Sequence, residues 1–159
     1  MPIDMPPPPP AIVITNDGGG VVDQYMDRVA RYSKEGREVR ITGSCRSACV
    51  LYLGAKNVCV GPNAVVKAHE AYEPKTGFAR PDVTLMMMNQ IPVRVSARLW
   101  PYITAEYNKM TTLNANQLAD LGIRRCSPQA TVTAHDRPIE IRPGDPITKA
   151  LFYIFGVKK

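Results

Sequence analysis

The sequence has no run of 18 apolar residues, so no transmembrane helix is expected. It also lacks basic clusters: the net charge is +6, but the only adjacent basic residues are Arg124-Arg125 and Lys158-Lys159, and aromatic residues make up 7% of the chain. Nucleic-acid-binding surfaces more often show clustered basic residues interleaved with aromatic ones. We therefore expect no nucleic-acid partner and no membrane association, whereas an acidic substrate or partner remains compatible with the charge.

The N-terminus lacks an apolar segment of the kind that begins a signal peptide. Residues 6–10 are five consecutive prolines, which cannot form a helix or a central strand and instead favour an extended polyproline arm. The rest of the chain, with 45% hydrophobic residues overall, is long enough to bury one core. We expect a proline-rich arm over residues 1–10 and a single domain over residues 11–159.

A glycine turn is the first segment with chemical promise. An apolar strand is predicted over residues 11–15, glycines occupy positions 18–20, and apolar residues then recur at helical spacing. The turn has neither the lysine and hydroxyl residue of a P-loop nor the spacing of a dinucleotide-binding motif. We therefore expect no nucleotide here, but the turn can present backbone N–H groups to another anion.

A serine-containing segment follows, over residues 43–49 (Gly-Ser-Cys-Arg-Ser-Ala-Cys), with His69 placed 22 residues after Ser47. The pattern predicts a strand over 38–42, a turn at Gly43 and Ser44, and a buried helix over 47–55. Ser47 would then lie at a helix N-terminus, where free N–H groups gather and the Ala48 N–H can hold an oxyanion. The alternative is that Ser47 only caps the helix and His69 is a structural histidine.

A second turn at Pro62 and Asn63 leads into a predicted strand over residues 64–69. This strand would carry His69 back beside the start of the helix. A serine hydroxyl needs such a neighbouring base to become nucleophilic, and it needs N–H donors for the oxyanion that it creates.

The order of three segments, residues 16–22, 47–56 and 61–69, resembles the proteolytic subunit of Clp-type serine peptidases and the wider Clp/crotonase superfamily. The chain is most similar to small, cysteine-containing Clp-like proteins that are often predicted to be periplasmic. The resemblance covers roughly residues 11–125, including a late helix over 113–123, and implies an α/β fold of stacked β-α units. It makes Ser47 the nucleophile, His69 the general base, and the N–H groups of Gly19 and Ala48 the oxyanion hole.

Two departures from the family pattern stand out. The triad aspartate would fall near Met110, where no carboxylate stands. Asn108, Thr111 or Thr112 could orient His69 instead, as could Glu106 or the more distant Asp82. The chain also lacks the strand and helix that precede the glycine turn in Clp subunits, so we expect a shortened N-terminal part of the fold.

Four cysteines occur, Cys45, Cys49, Cys59 and Cys126. In an oxidising compartment, one or two disulfides would brace the segment around Ser47, with Cys59 a natural partner of Cys49 or Cys45, although three complete pairings are open. A zinc site formed by the first three cysteines and His69 is an alternative with unusual spacing. Buried free thiols in a cytoplasmic protein are another.

The remaining segments predict surfaces rather than chemistry. Residues 83–109 favour helices broken near Pro92 and Pro101, and the resemblance makes this region a handle between subunits of a homo-oligomer. The polar loop 70–81 is expected to line a substrate cleft. A strand over 130–134 and a surface turn at His135 follow, and an apolar tail at 146–157 is expected to dock on the core, a partner or a membrane surface.

The leading hypothesis is a Ser-His hydrolase acting on peptides, with neither metal nor organic cofactor. One rival is a catalytically silent binding or assembly module that kept the fold without the triad acid. Another is crotonase-like acyl-CoA chemistry, against which the serine-histidine pair argues. The expected location is periplasmic or secreted if the cysteines are paired, and cytoplasmic otherwise.

Overall fold

The computed structural model describes residues 5–103 and 109–128, together with the backbone of residues 134 and 135. Within these residues no helix is both long and apolar enough to cross a membrane. The strands are β1 (Ile12–Asp17), β2 (Val39–Arg46), β3 (Val58–Val60), β4 (Val65–Ala68), β5 (Thr111–Asn114) and β6 (Ala134–His135). The helices are α1 (Val22–Glu35), a 3-10 helix (Ser47–Gly54), α2 (Pro81–Met88), α3 (Val93–Ile103) and α4 (Ala115–Asp120).

The described strands form one mixed sheet in the order β5-β4-β2-β1-β6, with β3 also paired to β2. All the pairs are parallel except β4 with β5. β3 lies beside the first half of β2 and β4 beside its second half, so β2 is the central strand. The protein is therefore α/β, as predicted.

The core lies between the sheet, α1 and the 3-10 helix. Tyr52 of the 3-10 helix meets Tyr25 edge-on and Tyr32 in a stacked arrangement, with ring centroids 5.5 Å and 6.3 Å apart. Tyr25 and Tyr52 are fully buried. The apolar spacing that predicted α1 thus packs the helix over the segment that begins with Ser47.

The turn predicted at Gly43 and Ser44 is wrong, because β2 continues through both residues to Arg46. The register slips here, with Ile14 opposite Ile41 but Asn16 opposite Ser44. A β-carbon at Gly43 would lie 2.1 Å from the carbonyl oxygen of Thr15. Gly43 therefore marks a bulge where two backbones approach closely rather than a turn.

Other predicted elements are confirmed with changed bounds. The helix predicted over 47–55 is a 3-10 helix, and the late helix begins only at Ala115, after β5. The 83–109 region breaks at Pro92, whereas Pro101 lies inside α3. His135, expected in a turn, pairs with Val13 in β6. Residues 5–10 are exposed and have no helix or strand, while residues 130–133 and 146–157 lie outside the described residues.

Candidate active site

The site forms where three parallel strands end at the same edge of the sheet. β1 ends at Asp17, which is paired with Cys45, and the glycine turn follows it. β2 and β4 end side by side, with Arg46 opposite Lys67. Ser47 follows Arg46 directly, and His69 is two residues beyond Lys67. Because neighbouring strands lie about 5 Å apart, this register places the glycine turn, the serine and the histidine at one edge of the sheet.

Gly19 lies directly against Ser47. A β-carbon at Gly19 would lie 2.4 Å from the Ser47 Cβ, 2.8 Å from the Arg46 carbonyl oxygen and 3.1 Å from the Ala48 nitrogen. Its φ of +89° is also one that side chains rarely adopt. Only glycine fits this position, and it places the glycine turn beside both the serine and the Ala48 amide.

Ser47 carries two unfavourable features at once. Its φ is +64°, and among the described residues no other non-glycine residue has a positive φ. A left-handed conformation costs an L-residue roughly 1–2 kcal/mol. The side chain is also fully buried, and within the described part of the chain its Oγ has no hydrogen-bond partner. A strained backbone at a sharp strand-to-helix junction is a feature of a nucleophile elbow, although the hydroxyl of such an elbow is exposed, whereas that of Ser47 is buried.

The His69 ring is buried, and its orientation is set by a backbone group. Nδ1 lies 2.7 Å from the carbonyl oxygen of Glu70. A carbonyl oxygen only accepts hydrogen bonds, so Nδ1 carries the proton and Nε2 of the neutral ring keeps its lone pair. The Tyr72 ring stacks on the imidazole, with centroids 6.0 Å apart and planes 8° from parallel. This tautomer is the one that a general base needs in order to take a proton from serine.

The loop after His69 is tied to α2. The Ala71 N–H donates to Thr84 Oγ1 at 2.9 Å, and the Arg80 N–H donates to the Ala71 carbonyl oxygen at 2.7 Å. Thr84 is fully buried. Burial also raises the pKa of the Glu70 carboxyl above its ordinary value. The predicted polar loop 70–81 thus begins with a fixed stretch that holds the Glu70 carbonyl in place.

The residues proposed to replace the triad acid differ in whether they lie beside the strand that carries His69. Thr111 pairs with Ala68 in β5, next to the base, and Thr112 pairs with Lys67. Asp82 is bound instead to the guanidinium of Arg80 through two hydrogen bonds of 2.6 Å and 2.9 Å, which lower its pKa to about 2. Asn108 and Glu106 lie outside the described residues.

Sequence reasoning missed Asp17, a buried carboxylate beneath the glycine turn. Its Oδ1 accepts hydrogen bonds from the Gly19 N–H at 2.9 Å and from the Tyr25 hydroxyl at 2.5 Å. Burial, together with the Asp17 charge, raises the pKa of Tyr25, so the phenol stays protonated and donates. The Gly19 N–H that was expected in the oxyanion hole is therefore bound to Asp17 in this structure.

Both disulfides differ from the expected partnership of Cys59 with Cys49 or Cys45. Cys45 is bonded to Cys49, and Cys59 is bonded to Cys126. The expectation was wrong because β3 bridges to the segment after α4, with Val60 opposite Arg125, which brings Cys126 to Cys59. The zinc and free-thiol alternatives are also wrong, since all four sulfurs are paired. Ser47 lies between Cys45 and Cys49, the two cysteines of the first disulfide, which are four residues apart in the sequence.

Comparison with known proteins identifies no family for this chain. Neither a family model nor a curated protein matches this chain. In the part of the chain that the structure describes, no group of three or more His, Cys, Asp or Glu side chains is placed to hold a metal ion. The arrangement of Ser47, His69 and the glycine turn is therefore the basis for a functional assignment.

Proposed function

We propose that this protein is a serine hydrolase of the Clp/crotonase type that acts on peptides, with Ser47 as nucleophile and His69 as general base. The observation that carries the proposal is the conformation of Ser47, which is strained, buried and without a hydrogen-bond partner among the described residues. Such costs persist where the surroundings enforce them, and they concentrate at active sites. A helix-capping serine would show neither feature.

In the proposed reaction, His69 Nε2 must first come within hydrogen-bond reach of Ser47 Oγ, which has no partner among the described residues in the resting structure. His69 Nε2 takes the proton from Ser47 Oγ, and the oxygen attacks the carbonyl carbon of the scissile bond. The Ala48 and Gly19 N–H groups stabilise the resulting oxyanion. His69 returns the proton to the leaving amine, and it then deprotonates the water that hydrolyses the acyl-enzyme.

The Glu70 carbonyl takes over the orienting task of the missing acid. It accepts the Nδ1–H at 2.7 Å, which leaves the lone pair of the neutral ring on Nε2. It carries no full charge, so it stabilises the imidazolium of the reaction less than a carboxylate does. In a Ser-His-Asp enzyme, loss of the acid costs about 10⁴ in turnover. We expect slow hydrolysis that is nevertheless dependent on His69.

Substrate access requires the glycine turn to move. Ser47 is fully buried, and Gly19 lies against it. Release of the Gly19 N–H from Asp17 would both open a path to Oγ and free a donor for the oxyanion. The resting structure is then a closed form of the enzyme.

The rival function is a catalytically silent binding module of the same fold. Two observations favour it: Met110 stands where the family has its acid, and Asp17 occupies the Gly19 N–H. In such a protein the groove beside the glycine turn would bind peptides without cleaving them. Acyl-CoA chemistry has no comparable support in the described residues.

The proposed location is periplasmic or secreted. Two disulfides in one domain are compatible with an oxidising compartment. We also propose that the protein self-associates through α2 and α3, where Leu85, Val93 and Tyr102 are 51%, 77% and 54% exposed. Light scattering coupled to gel filtration measures the oligomeric state, and a monomer at all concentrations would contradict this proposal.

A fluorophosphonate probe tests the hydrolase directly. Intact-mass spectrometry should show one adduct on the wild type and none on Ser47→Ala or His69→Ala. A folded wild-type protein that stays unlabelled from mildly acidic to mildly alkaline pH would contradict the hydrolase, and the binding module would take its place. Circular dichroism of each variant checks that a loss of labelling does not come from unfolding.

A further inference from the structure

Two cations lie side by side at the carboxyl end of the central strands. Arg46 of β2 is paired in parallel register with Lys67 of β4. Paired residues point to the same face of a sheet, and like charges at such positions repel each other. Within the part of the chain that the structure describes, neither side chain has a carboxylate partner. Among the described residues, no carboxylate therefore offsets the repulsion between the two cations.

Three other arginines of the described chain have carboxylate partners. Arg40 and Arg124 both bind Glu38 at 2.8 Å, and Arg80 binds Asp82 at 2.6 Å. Asp17, at the end of β1, accepts hydrogen bonds through Oδ1 from Gly19 and Tyr25. Arg40, Arg124 and Arg80 thus have carboxylate partners that Arg46 lacks among the described residues.

The same edge is the one that carries the site. Arg46 immediately precedes Ser47, and Lys67 comes two residues before His69, about 7 Å along an extended chain. A β-carbon at Gly18 would lie 3.5 Å from Arg46 Nη2, so the guanidinium contacts the glycine turn. A group bound by these cations would lie beside the carbonyl that Ser47 attacks.

We propose that Arg46 and Lys67 form an anion subsite that selects peptides with a carboxylate next to the scissile bond. The proposal deepens the hydrolase assignment and rests on it, because it names the substrate class of the same site. A guanidinium binds a carboxylate through two parallel hydrogen bonds, and an ammonium adds a compact charge. A substrate carboxylate would also cancel the repulsion between the two cations, so binding is favoured twice. The carboxylate belongs to an Asp or Glu side chain or to the C-terminus of the peptide.

Binding to Ser47→Ala tests the subsite without requiring turnover. Fluorescence polarisation would compare labelled hexapeptide pools that carry Asp or Asn at one position, each with a free or an amidated C-terminus. We expect one acidic form to bind about tenfold more tightly than its neutral counterpart, as a charge-assisted hydrogen bond implies. An advantage of Asp over Asn assigns the subsite to a side chain, and an advantage of the free acid over the amide assigns it to the C-terminus.

Variants locate the effect within the protein. Arg46→Gln and Lys67→Gln, each combined with Ser47→Ala, should bring the affinity ratio close to one, and Arg46→Lys should restore part of it. Lys56→Gln is the matched control, because Lys56 is exposed and lies at the opposite end of the sheet, before β3. Equal binding of acidic and neutral peptides, no binding of either, or a ratio that the Arg46 and Lys67 variants leave unchanged would overturn the subsite. Fluorophosphonate labelling of the wild type is independent of these outcomes, so failure of the hydrolase is recognised separately.

Discussion

The two ends of the central strand β2 are built in opposite ways. At the amino end each charged group has a partner: Arg40 binds Glu38 at 2.8 Å and the Ser127 carbonyl at 2.7 Å, while Arg124 binds Glu38 and Asn57. Although burial opposes it, the bonds from Arg40 and Arg124 hold the pKa of Glu38 below its ordinary value. This end has the features of a structure that is optimised for stability.

The carboxyl end collects the costs instead. Ser47 is strained and its hydroxyl is unpaired among the described residues, the position of Gly19 leaves no room for a side chain, and Arg46 faces Lys67. These unfavourable features bring no visible gain in stability, and function is expected where a structure retains such features. The comparison teaches that the contrast between satisfied and unsatisfied polar groups points to the same end of β2 as the family resemblance does.

The largest expected effect comes from crowding the glycine turn. Gly19→Ala would place a β-carbon 2.8 Å from a backbone oxygen at a φ of +89°, so we expect a loss of at least about 4 kcal/mol in the free energy of unfolding. Gly36→Ala is the matched control, since its φ is +66° with no atom within 4 Å, and it should cost about 1–2 kcal/mol. Urea unfolding measures both. Equal losses would mean that the turn does not press on Ser47.

Removing the disulfides should separate stability from labelling. Cys59–Cys126 closes a separation of 67 residues, and its replacement by two alanines should cost about 4 kcal/mol, whereas Cys45–Cys49 spans four residues and should cost about 2 kcal/mol. The smaller loss should be the one that abolishes fluorophosphonate labelling, because Ser47 lies inside the short loop. Thermal unfolding and intact mass measure the two effects. Labelling at the wild-type rate without Cys45–Cys49 would contradict a role of this disulfide at Ser47.

Relieving Ser47 should stabilise the protein. Ser47→Ala removes the unpaired hydroxyl, and Ser47→Gly also removes the cost of a φ of +64°, so we expect the order Gly above Ala above wild type, with a total gain of about 1 kcal/mol. Both variants should lose labelling. Ser44→Ala, on the same strand, should change stability by less than about 0.5 kcal/mol. A serine that proves more stable than either replacement would show that the position is not strained.

The smallest effects are those of pH on two glutamates. The pKa of Glu38 is lowered from 4.5, so its contribution to stability is present above that pH and is lost as the pH falls; Glu38→Gln should therefore destabilise the protein at neutral pH. The pKa of Glu70 is raised from 4.5 by burial, so stability is lost as the pH rises through the folded-state value, and Glu70→Gln should remove that loss. Melting temperatures against pH measure both. If both variants changed the pH dependence of the melting temperature in the same direction, this difference between the two glutamates would be contradicted.

Local patterns were sufficient to predict β1, α1, β4 and the position of the 3-10 helix, but neither β5 nor the full length of β2. Apolar runs bounded by glycines located β1 and the 3-10 helix, and helical spacing located α1. Because the strands around Ser47 and His69 are parallel, predicting the strands also predicted that both residues lie at one edge.

Features that depend on distant contacts escaped sequence reasoning. Gly43 looked like a turn because nothing local reveals the carbonyl of Thr15 beside it. The pairing of Cys59 with Cys126 depends on where the chain returns after α4. The Glu70 carbonyl escaped notice because a backbone group leaves no mark in residue identity.

The most direct test of the account is the pH dependence of fluorophosphonate labelling of Ser47. If His69 is the base and the Glu70 carbonyl holds its Nδ1–H, the labelling rate should rise with pH through a single ionisation, that of the His69 ring. The same ionisation should appear in the ¹⁵N resonances of His69, with the neutral ring protonated at Nδ1. His69→Ala should show a residual rate without this step. A wild-type rate that ignores the ionisation of His69, or a neutral ring protonated at Nε2, would contradict the account.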